Sequence, residues 1–383
     1  MKQVEPVLRE HAALCDERAT FPAVPLAALR ESGLMGLLVP VEHGGLGGGL
    51  AEFVLTAGEL AESCLSTAQI WAMHCFQVDA IVRYGTRRLK DELLPRVASG
   101  QVYIASVTTE RGRGAGLFGA HAPLRAEGSR LAVERAAPVV TGGAHADGYL
   151  MTMRAAEDAK ETEVSLVYAD RDDLTVETVG KWDAMGMRAT ESVGMVLKGS
   201  VPAHHVVGEP GRFAVVARES MIPLSHLGWS ACWLGAARGA LEALVRQSAA
   251  VRGKSLVSGG SGASDLFYDR LGRVRVRLEL VSAYLTRTRE EAERALAQGH
   301  SMADPRSQIQ LNTLKLAASE MTFAAVDELV QLAGLRTGYL KDADIPLERH
   351  FRDLRSASLN HANDGLRVGV GGLCMLDRGT HLI

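Results

Sequence analysis

Residues 93–112, LLPRVASGQVYIASVTTERG, change structural class partway through. A helix closes at Gly100, a strand follows over Val102–Val107, and Thr108-Thr109-Glu110 turns into a glycine-rich loop, Gly112-Arg113-Gly114-Ala115-Gly116. Glycine reaches backbone conformations closed to other residues, so main-chain N–H groups in such a loop can converge on an anion. A glycine loop alone most often only turns the chain. This one follows a long helical region, which makes it more specific.

On its N-terminal side the chain reads as helices. Leu26 and Leu29 share one face of a short helix after Pro25, which Gly33 and Gly36 end. Pro40–Gly49 is a loop holding five glycines. Helical runs cover Ala51–Cys64 and Thr67–Tyr84, and Arg88–Ala98 reads as a short helix interrupted by Pro95. On the C-terminal side, Val164, Leu166 and Tyr168 alternate with other residues, the period of a half-buried strand. Leu131/Val133, Tyr149–Met153 and Met195–Leu197 behave alike, separated by turn residues such as Glu127-Gly128-Ser129, Gly142-Gly143 and Asp170–Asp173. Helical spacing returns after Pro210-Gly211, in Leu234, Ala237, Leu241 and Leu244 and again from Leu311 to Leu332. Ser258–Ser264 reads as a mobile loop between two of these helices. The expected organisation is an all-α domain over 1–104, a β domain over 105–211 and a helical bundle over 212–383, an α+β chain.

Composition bounds the function. With 47% hydrophobic residues in 383, the chain can bury a large core. A net charge of −3 and 5% aromatics give no basis for a nucleic-acid surface. The N-terminus lacks an apolar secretory core and no apolar run reaches bilayer length, so a cytoplasmic protein with no membrane partner is expected. The five cysteines are scattered, as reduced thiols would be. His204-His205 precedes Glu209, but no third ligand has suitable local spacing, so no metal is expected.

Six segments in order resemble the acyl-CoA dehydrogenase superfamily of flavoproteins. They are LRESGLMGLLVPVEHGGLG (29–47), IVRYGTRRLKDELLPRVASGQ (81–101), SVTTERGRG (106–114), WDAMGMRATES (182–192), VQLAGLRTGY (330–339) and FRDLRSAS (351–358). The resemblance spans nearly the whole chain. It implies an N-terminal helical domain, a middle antiparallel β-barrel domain and a C-terminal four-helix bundle, with FAD between the last two and subunits sharing each site. Carried over residue by residue, Thr108 and Thr109 would meet the flavin ring edge and Gly112 and Gly114 its pyrophosphate. Val140 and Thr141 would lie beside the isoalloxazine N5. Gln331 and Gly334 would reach the adenine end of a neighbouring subunit's FAD. Arg252 would replace the family's phosphate-binding arginine, and Asn363 joins the cofactor-binding set.

The chemistry fits those residue types, since donors near N1 and the C2 carbonyl favour the reduced, negatively charged flavin, and a threonine hydroxyl donates without adding charge. The sequence also departs from the family. The usual catalytic Glu after the "RD" motif falls on or near His361, and the alternative position offers Ser225 and His226. Arg111, Arg113, Ala115 and Gly116 stand where the family prefers Pro, Ala, Ser and Asp, and Val139 stands for a flavin-covering Trp. Histidine titrates near neutrality and can carry a proton either way. His361 and His226 are therefore candidate catalytic groups, with His74 as a third histidine on an otherwise apolar helix.

These features lead to the expectation of a flavin-dependent oxidoreductase acting on a small acyl thioester, on CoA or a carrier protein, or on a related specialised metabolite. One alternative is a monooxygenase of the same fold, using FAD, FMN or a diffusing reduced flavin from a flavin reductase. Another is a flavin-less protein with a binding or non-redox role. A homodimer or homotetramer is expected in the flavin readings.

Overall fold

The computed structural model describes residues 3–110, 116–257, 264–380 and 382, without the side chains of 251–257. Gly112, Gly114, the Arg252 side chain and 258–263 of the expected mobile loop lie outside the described residues. Five helices come first: α1 (Val4–Arg18), α2 (Ala23–Glu31), α3 (Leu50–Ser63), α4 (Leu65–Tyr84) and α5 (Arg87–Ala98). Helix α4 is buried on nearly every side, including Trp71, Ala72 and Cys75, because α3 and the later helices cover it. Helix α5 continues through Pro95 without interruption. The carbonyl that Pro95 leaves without an N–H belongs to exposed Asp91, where water can serve it.

Eight strands follow: β1 (Ile104–Val107), β2 (Arg125–Glu127), β3 (Arg130–Val140), β4 (Gly148–Arg154), β5 (Val164–Asp170), β6 (Leu174–Val179), β7 (Val193–Pro202) and β8 (Val206–Val207). They form two four-stranded sheets, ordered β1-β4-β5-β8 and β2-β3-β7-β6. All pairs are antiparallel except β1–β4, which is parallel because β1 enters the sheet directly from the helical region. The sheets pack through Val133, Ala137 and Leu197 on one side and Met151, Met153 and Val167 on the other. Strand β1 starts two residues later than expected, after Val102 and Tyr103.

The chain ends in helices: α6 (Phe213–Val216), a π-turn at Ala217–Met221, then α7 (Ile222–Val257), α8 (Asp265–Ala297), α9 (Pro305–Gly334), α10 (Leu347–Arg355) and α11 (Asn363–Cys374). The long helices α7, α8 and α9 pack on one another, and α7 also packs on α3. Asp304 caps α9, accepting from the Ser307 N–H at 3.1 Å, with Pro305 at the first helical position. Among the described residues no helix is long and apolar enough to cross a membrane.

Two of the distant motifs form one joint. A Cβ on Gly186 would lie 2.0 Å from the Arg352 carbonyl oxygen, so only glycine lets these backbones meet. The Met187 N–H donates to Asp353 Oδ1 at 2.6 Å, and Arg352 binds Asp16 at 2.6 Å and Glu348 at 2.7 Å. Burial pushes the Asp353 carboxyl up to about 6.

Candidate active site

A cavity of about 480 Å³ opens where α4, the end of β1, the end of β3, the start of α7 and the turn before α11 converge. Its strand-side wall carries Thr108, Thr109 and Thr141, and its helical wall carries His226 and His361. Met73, Phe76, Trp229 and Leu359 make much of the rest apolar.

The strand-side hydroxyls are held in place. Thr109 Oγ1 donates to the Val139 carbonyl at 2.9 Å. Thr141 Oγ1 shares a hydrogen bond with Ser192 Oγ at 3.1 Å, and Ser192 with Thr190 Oγ1 at 2.8 Å. Thr190 Oγ1 bonds the Met187 carbonyl at 2.8 Å, which links the cavity wall to the Gly186–Arg352 joint. Beneath the Thr108-Thr109-Glu110 turn lies a buried ion pair, with Arg135 Nη1 2.8 Å from Glu110 Oε2. The Glu110 carboxylate also accepts from the His121 and Ala122 N–H groups at 2.7 and 2.8 Å. Arg135 Nη2 donates to the Thr109 carbonyl at 3.1 Å, so the pair fixes the turn's backbone.

The helical wall is built from desolvated bases. His226 is 2% exposed. One ring nitrogen hydrogen-bonds the Leu311 main chain, and Nδ1 has no hydrogen-bond partner among the described residues. Desolvation, with help from His361 and Lys315, pushes its pKa down to about 3. His361 sits with its ring centroid 6.1 Å from that of His226. Desolvation and then the Lys315 charge lower its pKa too. His361 adopts a left-handed backbone, φ 53°, which a non-glycine residue rarely holds. Lys315, fully buried on α9, secures that turn: its Nζ donates to the His361 carbonyl at 2.9 Å and to Asn363 Oδ1 at 2.7 Å. Burial lowers the Lys315 pKa to about 8.

Of the expected site residues, the cavity brings together Thr108, Thr109, Thr141, His226 and His361. His74 is not among them. It is fully buried, with Nδ1 accepting from the Ile104 N–H and Nε2 donating to the Met35 carbonyl, both at 3.0 Å. These bonds tie α4 to β1, and burial drops its pKa to about 4. Val140 is also displaced. A register shift between Ala137 and Val140 turns Val139 toward the cavity and Val140 into the core. Asn363 braces α11 against α9, bonding Lys315, Ser319 and Glu320. Gln331 and Gly334 are exposed at the end of α9 and do not line this cavity.

Sequence reasoning missed Lys315 and the Arg135–Glu110 pair. Both had a signal: Arg135 shares strand parity with Val133 and Ala137, and Lys315 lies four residues after Leu311 on the core stripe of α9.

The wall suits the ring end of a flavin. Uncharged hydroxyls line one side, those of Thr109 and Thr141 with their protons committed to the Val139 carbonyl and to Ser192 and so offering lone pairs to the cavity, and an unpartnered buried nitrogen and a second imidazole line the other. Family models agree with this fold. The model described as "Acyl-CoA dehydrogenase, N-terminal domain" matches residues 2–101, and "Acyl-CoA dehydrogenase, C-terminal domain" matches residues 227–363. The chain belongs to the acyl-CoA dehydrogenase superfamily, a family of flavoproteins. It is 27% identical to an acryloyl-CoA reductase (NADH) from Anaerotignum propionicum, over 92% of this chain and 85% of the relative. The FMN-bound dibenzothiophene monooxygenase TdsC from Paenibacillus sp. A11-2 superposes with a TM-score of 0.84 at 20% identity, covering 96% of this chain and 94% of that one. Butyryl-CoA dehydrogenase from Megasphaera elsdenii gives 0.83 at 19%, covering 98% and 96%. At these identities the two structures establish the fold alone.

Proposed function

We propose that the chain is a flavin-dependent monooxygenase with the acyl-CoA dehydrogenase fold, acting on a compact, largely apolar substrate that carries a hydroxyl or amine. The observation that supports this is the cavity's acid–base inventory. Among the described residues its only carboxylate is Glu110, already engaged by Arg135 and two main-chain donors. Abstraction of a thioester α proton by a free carboxylate has no residue to perform it. Two histidines are present instead.

Thr108, Thr109 and Thr141 would hold the ring end of a flavin, FAD or FMN, which when bound and reduced would supply the electron pair for oxygen activation. His226 Nδ1 offers a lone pair to a substrate O–H or N–H and so orients it. His361 accepts or returns the proton that moves during oxygen transfer, at a ring nitrogen whose neutral state its surroundings favour. Phe76 and Trp229 give the wall beside the reacting centre an apolar face. A flavin reductase is the implied partner. A second copy of the chain would place Gln331 and Gly334 at the far end of the cofactor.

Thioester oxidation is the second reading, favoured by the likeness to acryloyl-CoA reductase over 92% of the chain. The deciding experiment is flavin absorbance with added FAD or FMN, followed by two anaerobic arms. Turnover of an aromatic substrate on adding oxygen to protein preloaded with reduced flavin supports oxygenation. Bleaching of oxidised flavin by short acyl thioesters, with no oxygenase turnover, replaces it with the second reading. A protein that takes up no flavin overturns both.

A further inference from the structure

His204 and His205 do have a third potential ligand, 112 residues earlier in the chain. Glu92 on α5 points its Oε2 at His204 Nε2, 3.0 Å away, and at His205 Nε2, 3.8 Å away. One donor atom from each residue lies within 4.8 Å of the others. A tetrahedral zinc site with bonds of about 2.0–2.1 Å places its ligand atoms roughly 3.3 Å apart, so the observed spacing brackets the requirement without rearrangement.

The hydrogen bonding around the cluster points the same way. His205 is 5% exposed, and its Nδ1 faces the Tyr168 carbonyl at 3.3 Å. A carbonyl only accepts, so Nδ1 carries a proton and Nε2 is the ring atom turned toward the Glu92 carboxylate. A main-chain carbonyl holding the distal nitrogen is also the arrangement that orients metal-bound histidines. The other Glu92 oxygen, Oε1, accepts from Arg88 Nε at 2.8 Å, which fixes the carboxylate and leaves Oε2 for the ion. Thr86 Oγ1 donates to the His204 carbonyl at 2.7 Å and steadies the turn that presents both rings.

We propose that Glu92, His204 and His205 bind a divalent transition cation, zinc by its preference for two imidazoles and a carboxylate, with water completing the tetrahedron. The ion clasps α5 to the turn between β7 and β8. It lies outside the cavity and is independent of the reaction carried out there.

The test is calorimetric titration of the chelator-treated protein, in its purified flavin state, with Zn2+. One equivalent should bind with a Kd below about 10 μM, and Tm should rise by a few degrees at hundredfold excess over Kd. His204→Ala and Glu92→Gln, both at solvent-accessible positions, should weaken binding at least about tenfold and cut the Tm rise at the same zinc concentration to about half or less. The metal-free variants are expected to melt within a degree or two of the metal-free parent, which shows that they fold. A Kd weaker than about 10 μM in the parent, or the same affinity in both variants, overturns the proposal.

Discussion

Each wall of the cavity rests on one buried cation, and the two are held in opposite ways. Arg135, under the strand-side wall, faces a carboxylate at 2.8 Å. Lys315, under the helical wall, is held by a main-chain carbonyl and an amide oxygen, with the Trp233 ring 5.7 Å away. A guanidinium paired with a carboxylate keeps its charge across the accessible pH range. An ammonium bonded directly only to neutral oxygens titrates near 8. On the proposed reading the difference separates two tasks: the strand wall fixes where hydroxyl groups stand, and the helical wall would control where a proton is.

Removing the cation under each wall should therefore damage different properties. The largest effect is expected from Arg135→Met, which strands a buried carboxylate. It should cost about 3–5 kcal/mol of folding stability, read from denaturant unfolding, and loosen flavin binding through the Thr109 turn. A loss below about 1 kcal/mol would mean that Glu110 is satisfied without its partner. Next comes His361→Asn, chosen because asparagine tolerates the left-handed backbone. Turnover should fall about 10²-fold or more if the ring transfers a proton, with flavin affinity unchanged; a loss under about threefold removes it from the mechanism.

Lys315→Met should follow, with turnover reduced about tenfold, roughly 1.4 kcal/mol of positioning. Its distinguishing readout is pH. A lysine whose folded pKa is about 8, below its ordinary 10.5, binds fewer protons folded than unfolded between those values. Stability of the parent should then rise as pH climbs from 8 toward 10, and the Met variant should lose that rise. An identical pH profile in both would show that the ammonium is not desolvated. The smallest effect is expected from Thr141→Val, which removes one end of the hydroxyl chain to Thr190. Flavin affinity should drop by a few fold, about 1 kcal/mol, while the pH dependence of turnover stays fixed. A shifted pH profile would merge the two tasks that the walls otherwise keep apart.

Much of this architecture was legible in the sequence, because helical and strand periodicities report burial directly. The order of helices, strands and helices follows from them, whereas the placing of Thr108, Thr109 and Thr141 on one cavity came from the family resemblance. The same carry-over missed at Val140, where a one-residue irregularity inverts the faces of a strand and no composition marks it. His74 misled because a buried histidine and a catalytic one look alike until both nitrogens are followed to their partners. Glu92 was invisible as a neighbour of His204 because α5 and the β7–β8 turn meet only in three dimensions. The charges beneath the walls were within reach, since a basic residue at a core position of a strand or helix stands out against its apolar neighbours.

The Arg135–Glu110 pair has a consequence for how such a chain diverges. It grips the Thr-Thr-Glu turn from β3, through the Glu110 carboxylate and the Thr109 carbonyl, so the turn is anchored before the chain enters the glycine loop. On the proposed reading, loop positions could then be rewritten in descent while the turn kept its shape.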